Sequence, residues 1–229
     1  MSEIKLFMAP GTCARVTSIA LEEIGLDFET VLIRFMRGEH KSPEFKKINP
    51  KGKVPTLLID DQALTENVAI LSYLNSAFPD AQLLPSTADA MDKARQLADL
   101  SFCAATLHPL VTRIRMPHFF ADKEAAKSVW QMGCEAMNEY FQLIDSRLDG
   151  QPWWYGDQWS VMDAYLYWIY WRCEGAGYPA DGYPHYQAHA AGMEARDSTQ
   201  KALAREAEAQ KQLESEGLVF TPPPLDDTD

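Results

Sequence analysis

The segment IKLFMAPGTCAR, residues 4–15, contains the signals for the first strand, turn and helix of the chain. Its first part, residues 4–8, is an apolar run typical of a short buried strand. Pro10 and Gly11 then interrupt the strand, and the spacing of apolar residues over 15–23 is helical. The sequence therefore predicts a strand that leads through a tight turn directly into a helix.

Cys13 is predicted to lie in the first turn of that helix. Free backbone N–H groups and the positive end of the helix dipole favour an anion at such a position. A cysteine placed there can have its pKa lowered from about 8.5 to roughly 3.5–7.5. The alternative is that Cys13 is a small buried apolar side chain, as free cysteines often are. We favour the reactive thiol, and we therefore expect a lowered pKa for Cys13.

Composition and charge exclude several classes of function. The 229 residues, of which 46% are apolar, suffice for one large domain or two small ones with a real core. A net charge of −12 argues against broad nucleic-acid binding and against adsorption to anionic membranes. The sequence has no apolar run long enough to span a membrane, and its first residues lack the pattern of a signal peptide. The four cysteines are too widely spaced for a zinc site or a dense disulfide framework. We therefore expect a cytoplasmic protein without a metal.

The first 80 residues predict the order β-α-β followed by β-β-α. Further strands are expected at residues 28–33, 54–59 and 63–65, and a helix is expected to begin at Glu66 and Asn67. Residues 81–87 read as a linker. The predicted domains are accordingly an α/β domain over 1–80 and an all-helical domain over 88–229.

The chain beyond the linker has a helical pattern throughout. Helices are predicted at 89–111, with a kink or an end at Pro109, at 123–148, after a capping box at Ser160–Asp163, at 188–196 and at 199–215. The last of these carries alternating charges and few large apolar residues, which predicts an exposed helix packed over the domain surface. The residues that follow it are expected to be a disordered or draped tail.

The combined pattern resembles the cytosolic glutathione S-transferases. The segments that carry the likeness are KLFMAPGTCA with SIALEEIGLDFE, NPKGKVPTLLIDD, LTENVAILSYL and GDQWSVMDAYLYW. They extend over residues 4 to about 205, and the Pro-Gly-x-Cys turn is most similar to that of the bacterial beta class. The resemblance implies a thioredoxin-like domain that binds glutathione, an all-α domain, a homodimeric assembly and a role in detoxification.

The resemblance also implies which residues bind glutathione. In the family, a valine before a cis-proline pairs its backbone with the cysteinyl unit of glutathione, like an added β-strand; here these residues are Val54 and Pro55. Glu66 would take the α-amino group of the ligand, and the helix start at Asn67 would take its carboxylate. The structural alternatives are an ordinary edge proline at position 55 and a simple helix cap at positions 66 and 67.

Basic residues and a histidine complete the implied glutathione site. Lys53 would meet the glycyl carboxylate, with Lys51 and Arg37 as alternatives, and a solvated basic loop is the structural alternative. His108 would orient or polarise the bound ligand, unless it is a satisfied core histidine.

This chain departs from the family where a hydroxyl group usually assists the glutathione thiol. The first-strand tyrosine typical of the class is Met8, and the position after the cysteine, often serine, is Ala14. A thioether cannot donate a hydrogen bond, so activation by those two side chains is lost. Cys13, the helix start and the Thr12 hydroxyl remain nearby. The residues after Cys13 form no CxxC motif, so a disulfide at Cys13 would need glutathione as its second sulfur.

The leading prediction is a glutathione S-transferase that joins glutathione to a hydrophobic or aromatic electrophile, with Cys13 as the catalytic residue at the glutathione thiol. The acceptor site is expected between the domains, with candidates Met8, Thr12, Arg113, Arg115, His118 and Trp168. Two alternatives stay open. One is thiol–disulfide exchange or reductive deglutathionylation at Cys13, and the other is a binding protein of the same fold that catalyses nothing. No nucleic-acid, membrane or metal partner is expected.

Overall fold

The computed structural model describes residues 3–225, which divide into two compact units. The first unit contains residues 3–86 and Ala195–Phe220, and the second contains Thr87–Glu194 and residues 221–225. Residues 195–220 thus pack with the first unit, whereas the sequence pattern placed them in the helical domain. The exact limits of the predicted domains, 1–80 and 88–229, stay a prediction.

The first unit is built on a mixed sheet. Its strands are β1 (Ile4–Met8), β2 (Glu29–Leu32), β3 (Thr56–Ile59) and β4 (Gln62–Thr65). The strand order is β2-β1-β3-β4, with β2 parallel to β1 and β3 antiparallel to both β1 and β4. This confirms the predicted thioredoxin-like order of elements. β3 begins two residues later than predicted, because the Val54–Pro55 peptide is cis and lies before the strand.

The helices are α1 (Ala14–Ile24), α2 (Pro43–Ile48), α3 (Asn67–Ala77), α4 (Ala90–Ser101), α5 (His108–Arg115), α6 (Lys123–Leu148), α7 (Val161–Glu174), α8 (Pro184–Glu194) and α9 (Asp197–Ser215). All except α2 lie close to predicted helices, and α2 lies where the sequence predicts a loop. Short 3-10 turns occur at Phe35–Arg37, Glu39–Lys41, Pro79–Ala81, Pro117–Phe119 and Ala180–Gly182. Within residues 3–225, no helix combines the length and the hydropathy needed to cross a membrane.

Alternation along the strands separates the two faces of the sheet. Phe7 of β1 packs against Phe45 of α2 with ring centroids 5.5 Å apart, and Ile33 completes this cluster. Leu6 and Leu57, which pair across β1 and β3, point to the opposite face and are fully buried. Each such leucine contributes about 1.5–3 kcal/mol by leaving water. The buried sheet therefore gives the turn after β1 a rigid base.

The sequence predicts a kink or a helix end at Pro109, but the helical path that starts with α4 continues past this residue. A π-helical segment, Phe102–Leu107, joins α4 to α5, and Pro109 lies in the first turn of α5. The helical path therefore continues to Arg115 instead of ending near 111. The wider turns of the π segment precede the proline, at the point where the missing N–H would otherwise break the ladder of hydrogen bonds.

The second unit contains two helix starts fixed by buried carboxylates. Ser160 and Asp163 form the predicted capping box at the start of α7, and Asp163 also accepts a hydrogen bond from the Trp154 N–H at 2.7 Å. Asp145 of α6 accepts the N–H groups of His185 and Tyr186 at 2.8 and 2.9 Å. α8 therefore begins at Pro184, four residues before the predicted position, because a side chain distant in sequence caps it.

We predict that Gly52→Ala destabilises the first unit strongly. Gly52 has a φ of +63°, and a Cβ atom added there would lie 2.6 Å from the backbone oxygen of His40. The free energy of unfolding should fall by about 3 kcal/mol, since the left-handed backbone and the clash act together. Gly38→Ala is the matched control, because Gly38 has a φ of +73° but has open space around it. It should cost only about 1 kcal/mol. Equal losses in urea titrations of the two variants would contradict the predicted clash.

Candidate functional site

Three backbone segments of the first unit meet around Cys13. The Cys13 Sγ lies 3.7 Å from the Val54 carbonyl oxygen, to which the thiol donates. The Cys13 carbonyl accepts a hydrogen bond of 2.9 Å from the Asn67 side chain at the start of α3. The charges of Lys53 and Glu66 also act on the Cys13 thiol, in opposite directions. The structure thus brings together the predicted residues Cys13, Lys53, Val54, Pro55, Glu66 and Asn67.

The side chain of Asn67 is buried and serves the fold. Its Nδ2 donates to the Cys13 carbonyl, and its Oδ1 accepts a 2.7 Å hydrogen bond from the Thr17 hydroxyl. These bonds join the start of α3 to the first turns of α1. The Asn67 side chain is therefore engaged within the fold, and the use of this helix start by glutathione stays a prediction.

The pKa of Cys13 is shifted in the direction opposite to the one predicted from its position. Burial raises the pKa of the thiol from 9.0 to about 12, and the Glu66 charge raises it further. The Cys13 backbone N–H and the charge of Lys53 lower the pKa, but they do not offset the loss of hydration. The side chain is only 8% exposed. The predicted lowered pKa is wrong because the helix end acts on a sulfur that water scarcely reaches.

We predict that the native protein reacts slowly with an aromatic disulfide reagent at neutral pH. Burial raises the pKa of Cys103, Cys134 and Cys173 as well as that of Cys13, so the thiols are protonated. Unfolding in guanidinium should expose four titratable thiols. Fast modification of one thiol in the native protein, mapped to Cys13, would contradict the raised pKa.

The same pKa shift gives the fold a pH dependence. The folded pKa of Cys13, about 12, exceeds the reference value of 9.0. The protonated thiol therefore stabilises the fold fully below about pH 9, and this contribution is lost as the pH rises toward 12.

Glu66 stands at the start of α3 in a strained backbone conformation. Its φ is +72°, which is rare for a residue with a side chain. The carboxylate pairs with Lys51 Nζ at 2.7 Å, and Lys51 also donates to the Thr65 hydroxyl at 3.0 Å. The Glu66 and Lys51 side chains are 64% and 54% exposed. Such a pair contributes little to stability, so a ligand can replace either partner at small cost.

Asn49, which is not among the residues predicted for the site, holds the loop that carries Lys53 and Val54. The buried amide donates to the Lys53 carbonyl at 2.8 Å and to the Thr56 hydroxyl at 2.9 Å. The Thr56 hydroxyl in turn donates to the Lys53 carbonyl at 3.0 Å. An asparagine before a proline is typical of a turn, but here its side chain also fixes the Lys53 carbonyl, one residue before the Val54 carbonyl that Cys13 contacts.

Two candidates for assisting the thiol or lining an acceptor site do not fit the predicted roles. The Thr12 hydroxyl donates to the Ala9 carbonyl at 2.7 Å, so its proton is already engaged. Met8 is 1% exposed and belongs to the core of the first unit. The prediction that Met8 lines an acceptor site is therefore wrong, because the strand turns this side chain inward.

The remaining candidates lie in the second unit. His108 Nδ1 is 3.3 Å from the Tyr165 hydroxyl, and its ring packs against Trp168 with centroids 4.7 Å apart. Trp168 is only 3% exposed, so it is a core residue and not an acceptor-site surface. The role of His108 toward glutathione stays a prediction.

The end of α5 carries the basic candidates for the acceptor site. The Arg113 guanidinium lies 5.6 Å from the centre of the Phe120 ring. Arg115 lines a cleft of about 290 Å³ together with residues 222–225, and burial lowers its pKa. His118 Nε2 is 3.3 Å from the Pro223 carbonyl oxygen. The tail is therefore draped over this surface as far as it is described, and residues 226–229 lie outside the described part.

Comparisons with known proteins identify the family of the chain. The family description "Glutathione S-transferase, N-terminal domain" matches residues 2–76, and "Glutathione S-transferase, C-terminal domain" matches residues 127–192. The chain belongs to the glutathione S-transferase family. The predicted family, fold class and enzyme class are confirmed. Within residues 3–225, no group of histidine, cysteine and acidic residues has the arrangement of a metal site.

Individual members of the family cover nearly the whole chain. Glutathione S-transferase GstA of Escherichia coli O157:H7 is 31% identical over 205 residues, which are 89% of this chain and 98% of that protein. A sphingomonad glutathione S-transferase, solved in complex with glutathione, is 33% identical with a TM-score of 0.77, over 89% of this chain and 98% of that one. A beta class enzyme from Sphingomonas chungbukensis is 30% identical with a TM-score of 0.77, over 88% and 98% of the two chains.

Proposed function

We propose that the protein transfers the sulfur of glutathione to an electrophilic small molecule. The observation that carries this proposal is the convergence of the Val54 peptide, the start of α3 and the first turn of α1 around one sulfur position. The sphingomonad relative, solved with glutathione, supports the identity of the ligand. We further propose that the protein acts in the cytoplasm as a homodimer and contributes to detoxification.

The residues around Cys13 fit the groups that glutathione presents. Glutathione is an anionic tripeptide with two carboxylates, one ammonium group and extended peptide units. In this proposal the Val54 backbone adds the cysteinyl unit as a further strand, and the Glu66 carboxylate takes the ammonium group. The start of α3 favours the adjacent carboxylate, and Lys53 is the candidate for the glycyl carboxylate.

The first turn of α1 is the device that we propose for lowering the pKa of the glutathione thiol. Met8 and Ala14 have no hydroxyl group, and the Thr12 hydroxyl is engaged by Ala9. The N–H groups of Cys13 and Ala14 have no carbonyl one turn before them in the helix. They can stabilise a ligand sulfur as a thiolate once its proton has passed to water. The thiolate then attacks the electrophilic carbon and forms the carbon–sulfur bond, and the leaving group departs with its electron pair, as chloride does from a chlorodinitrobenzene.

The protonated state of the Cys13 thiol favours conjugation of glutathione over thiol–disulfide exchange at Cys13. A sulfur with a pKa of about 12 is almost entirely protonated at neutral pH, and only the thiolate attacks a disulfide. The Cys13 S–H donates to Val54 instead. Cys13 therefore acts in this proposal as a buried neighbour of the ligand sulfur, and its role as a nucleophile is the weaker hypothesis.

We predict that Glu66→Ala weakens glutathione binding. The loss should be on the order of 2 kcal/mol, because a hydrogen bond to a charged group is removed. Calorimetric titration with glutathione measures it directly. Glu44→Ala removes an exposed carboxylate from the first turn of α2 and is the matched control for net charge. Equal affinities for the wild-type protein and Glu66→Ala would exclude Glu66 from the site.

We predict that Cys13→Ala separates the two possible reactions. Conjugation to a chlorodinitrobenzene should persist within a few-fold of the wild-type rate, because the first-turn N–H groups of α1 remain. Any exchange with a mixed disulfide of glutathione should be lost, since the chain around position 13 offers no second cysteine. Cys13→Ser keeps a donor toward the Val54 carbonyl and serves as the control for packing. Loss of conjugation in both variants would contradict the proposed use of the helix start.

A further inference from the structure

A buried carboxylate on α9 reaches the turn that precedes Cys13. Glu206 Oε2 accepts the Gly11 backbone N–H at 3.0 Å. The same carboxylate accepts Arg15 Nε at 3.0 Å and Arg15 Nη2 at 2.7 Å. The Arg15 and Glu206 side chains are 3% and 7% exposed. One side chain of the C-terminal helix thus engages the chain on both sides of Cys13.

These contacts enclose the turn. Gly11 has a φ of +70°, which glycine adopts about as readily as a negative φ, so its backbone alone does not fix the turn. The hydrogen bond from the Gly11 N–H to Glu206 restricts that freedom. Arg15 is the second residue of α1 and carries the charge that compensates the buried carboxylate. Because Gly11 and Arg15 are anchored to the same carboxylate, the direction of the intervening N–H groups is fixed.

Two other ion pairs also join α9 to α1. Arg205 pairs with Glu22 and Arg196 pairs with Glu23, so two partly exposed ion pairs already join α9 and its start to the far end of α1. An ion pair buried as deeply as Arg15–Glu206 loses much of its attraction to desolvation and is weak as a stabilising device. What distinguishes it from the other two pairs is the third hydrogen bond, to the Gly11 N–H.

We propose that Glu206 is a positioning residue for the glutathione thiol, holding the turn Pro10–Cys13 so that the first N–H groups of α1 stay aimed at the ligand sulfur. Glu206 lies beyond both matched family segments, which end at residues 76 and 192. The inference rests on the proposed function, because it assigns Glu206 to the sulfur site of that reaction.

The test compares Glu206→Gln with Glu22→Gln. Both variants break an ion pair between α1 and α9, but only Glu206 contacts the turn. In Glu206→Gln we expect kcat for chlorodinitrobenzene conjugation to fall about tenfold, with a smaller change in KM, because binding groups stay and alignment is lost. The pH midpoint of the ultraviolet thiolate absorbance of bound glutathione should rise. Amide hydrogen exchange of residues 11–15 in the ligand-free protein should accelerate. Glu22→Gln should change none of these.

Each outcome supports or overturns a stated claim. If both variants lose stability alike and keep the wild-type midpoint and exchange rates, Glu206 only docks the helix and the proposal is wrong. If Glu206→Gln does not fold, Arg15→Lys keeps the charge but removes the two-pronged contact, and it must show the same shift in midpoint. Failure of the wild-type protein to bind glutathione would overturn the proposed function, and the assignment of Glu206 with it. An active Glu206→Gln enzyme with an unchanged midpoint would overturn the assignment alone.

Discussion

The buried carboxamide of Asn67 is the constraint on which the arrangement of the site depends. It satisfies the Cys13 carbonyl and is itself satisfied by the Thr17 hydroxyl. A buried polar group that loses its partner costs about 1–3 kcal/mol, so α1 and α3 cannot slide past one another without breaking these bonds. Their starts are thereby held side by side. Two helix N-termini then face one region, which suits a ligand that carries both a carboxylate and a sulfur anion.

The state of Cys13 shows which of two opposing effects prevails. A helix end typically favours an anion by about 0.3–1 kcal/mol, which is less than one pKa unit. Burial raises the pKa of Cys13 by about three units, from 9.0 to about 12. The protein sulfur therefore stays protonated although it lies at a position that favours negative charge. A ligand sulfur that keeps some contact with water does not meet the same penalty, so in the proposed site the helix end stabilises a glutathione thiolate more than it stabilises a Cys13 thiolate.

Local patterns predicted the fold well and the site only in part. The spacing of apolar residues predicts β1, α1 and α6. The family resemblance predicts that Lys53–Pro55 and Glu66 lie in the same region. The exposure of individual side chains was less predictable. An apolar pattern marks Met8 and Trp168 as facing inward, but it does not distinguish a side chain in the core from one that lines a cleft. Contacts that span long separations left no signal at all. Glu206 lies 195 residues from Gly11, and it reads in sequence as one more acidic residue on a charged helix.

The overall charge of the chain bears on how an anionic ligand is recognised. A net charge of −12 repels glutathione at long range, but salt screens this field within about 8 Å under physiological conditions. Inside that distance the helix starts and Lys53 present positive charge, Lys51 neutralises the Glu66 carboxylate, and Arg15 neutralises the Glu206 carboxylate. Without Arg15, a full negative charge would lie buried beside the turn and would oppose a thiolate there. Because Arg15 neutralises it, the Glu206 carboxylate can hold the turn by its hydrogen bond to Gly11 without adding a net negative charge beside the proposed thiolate.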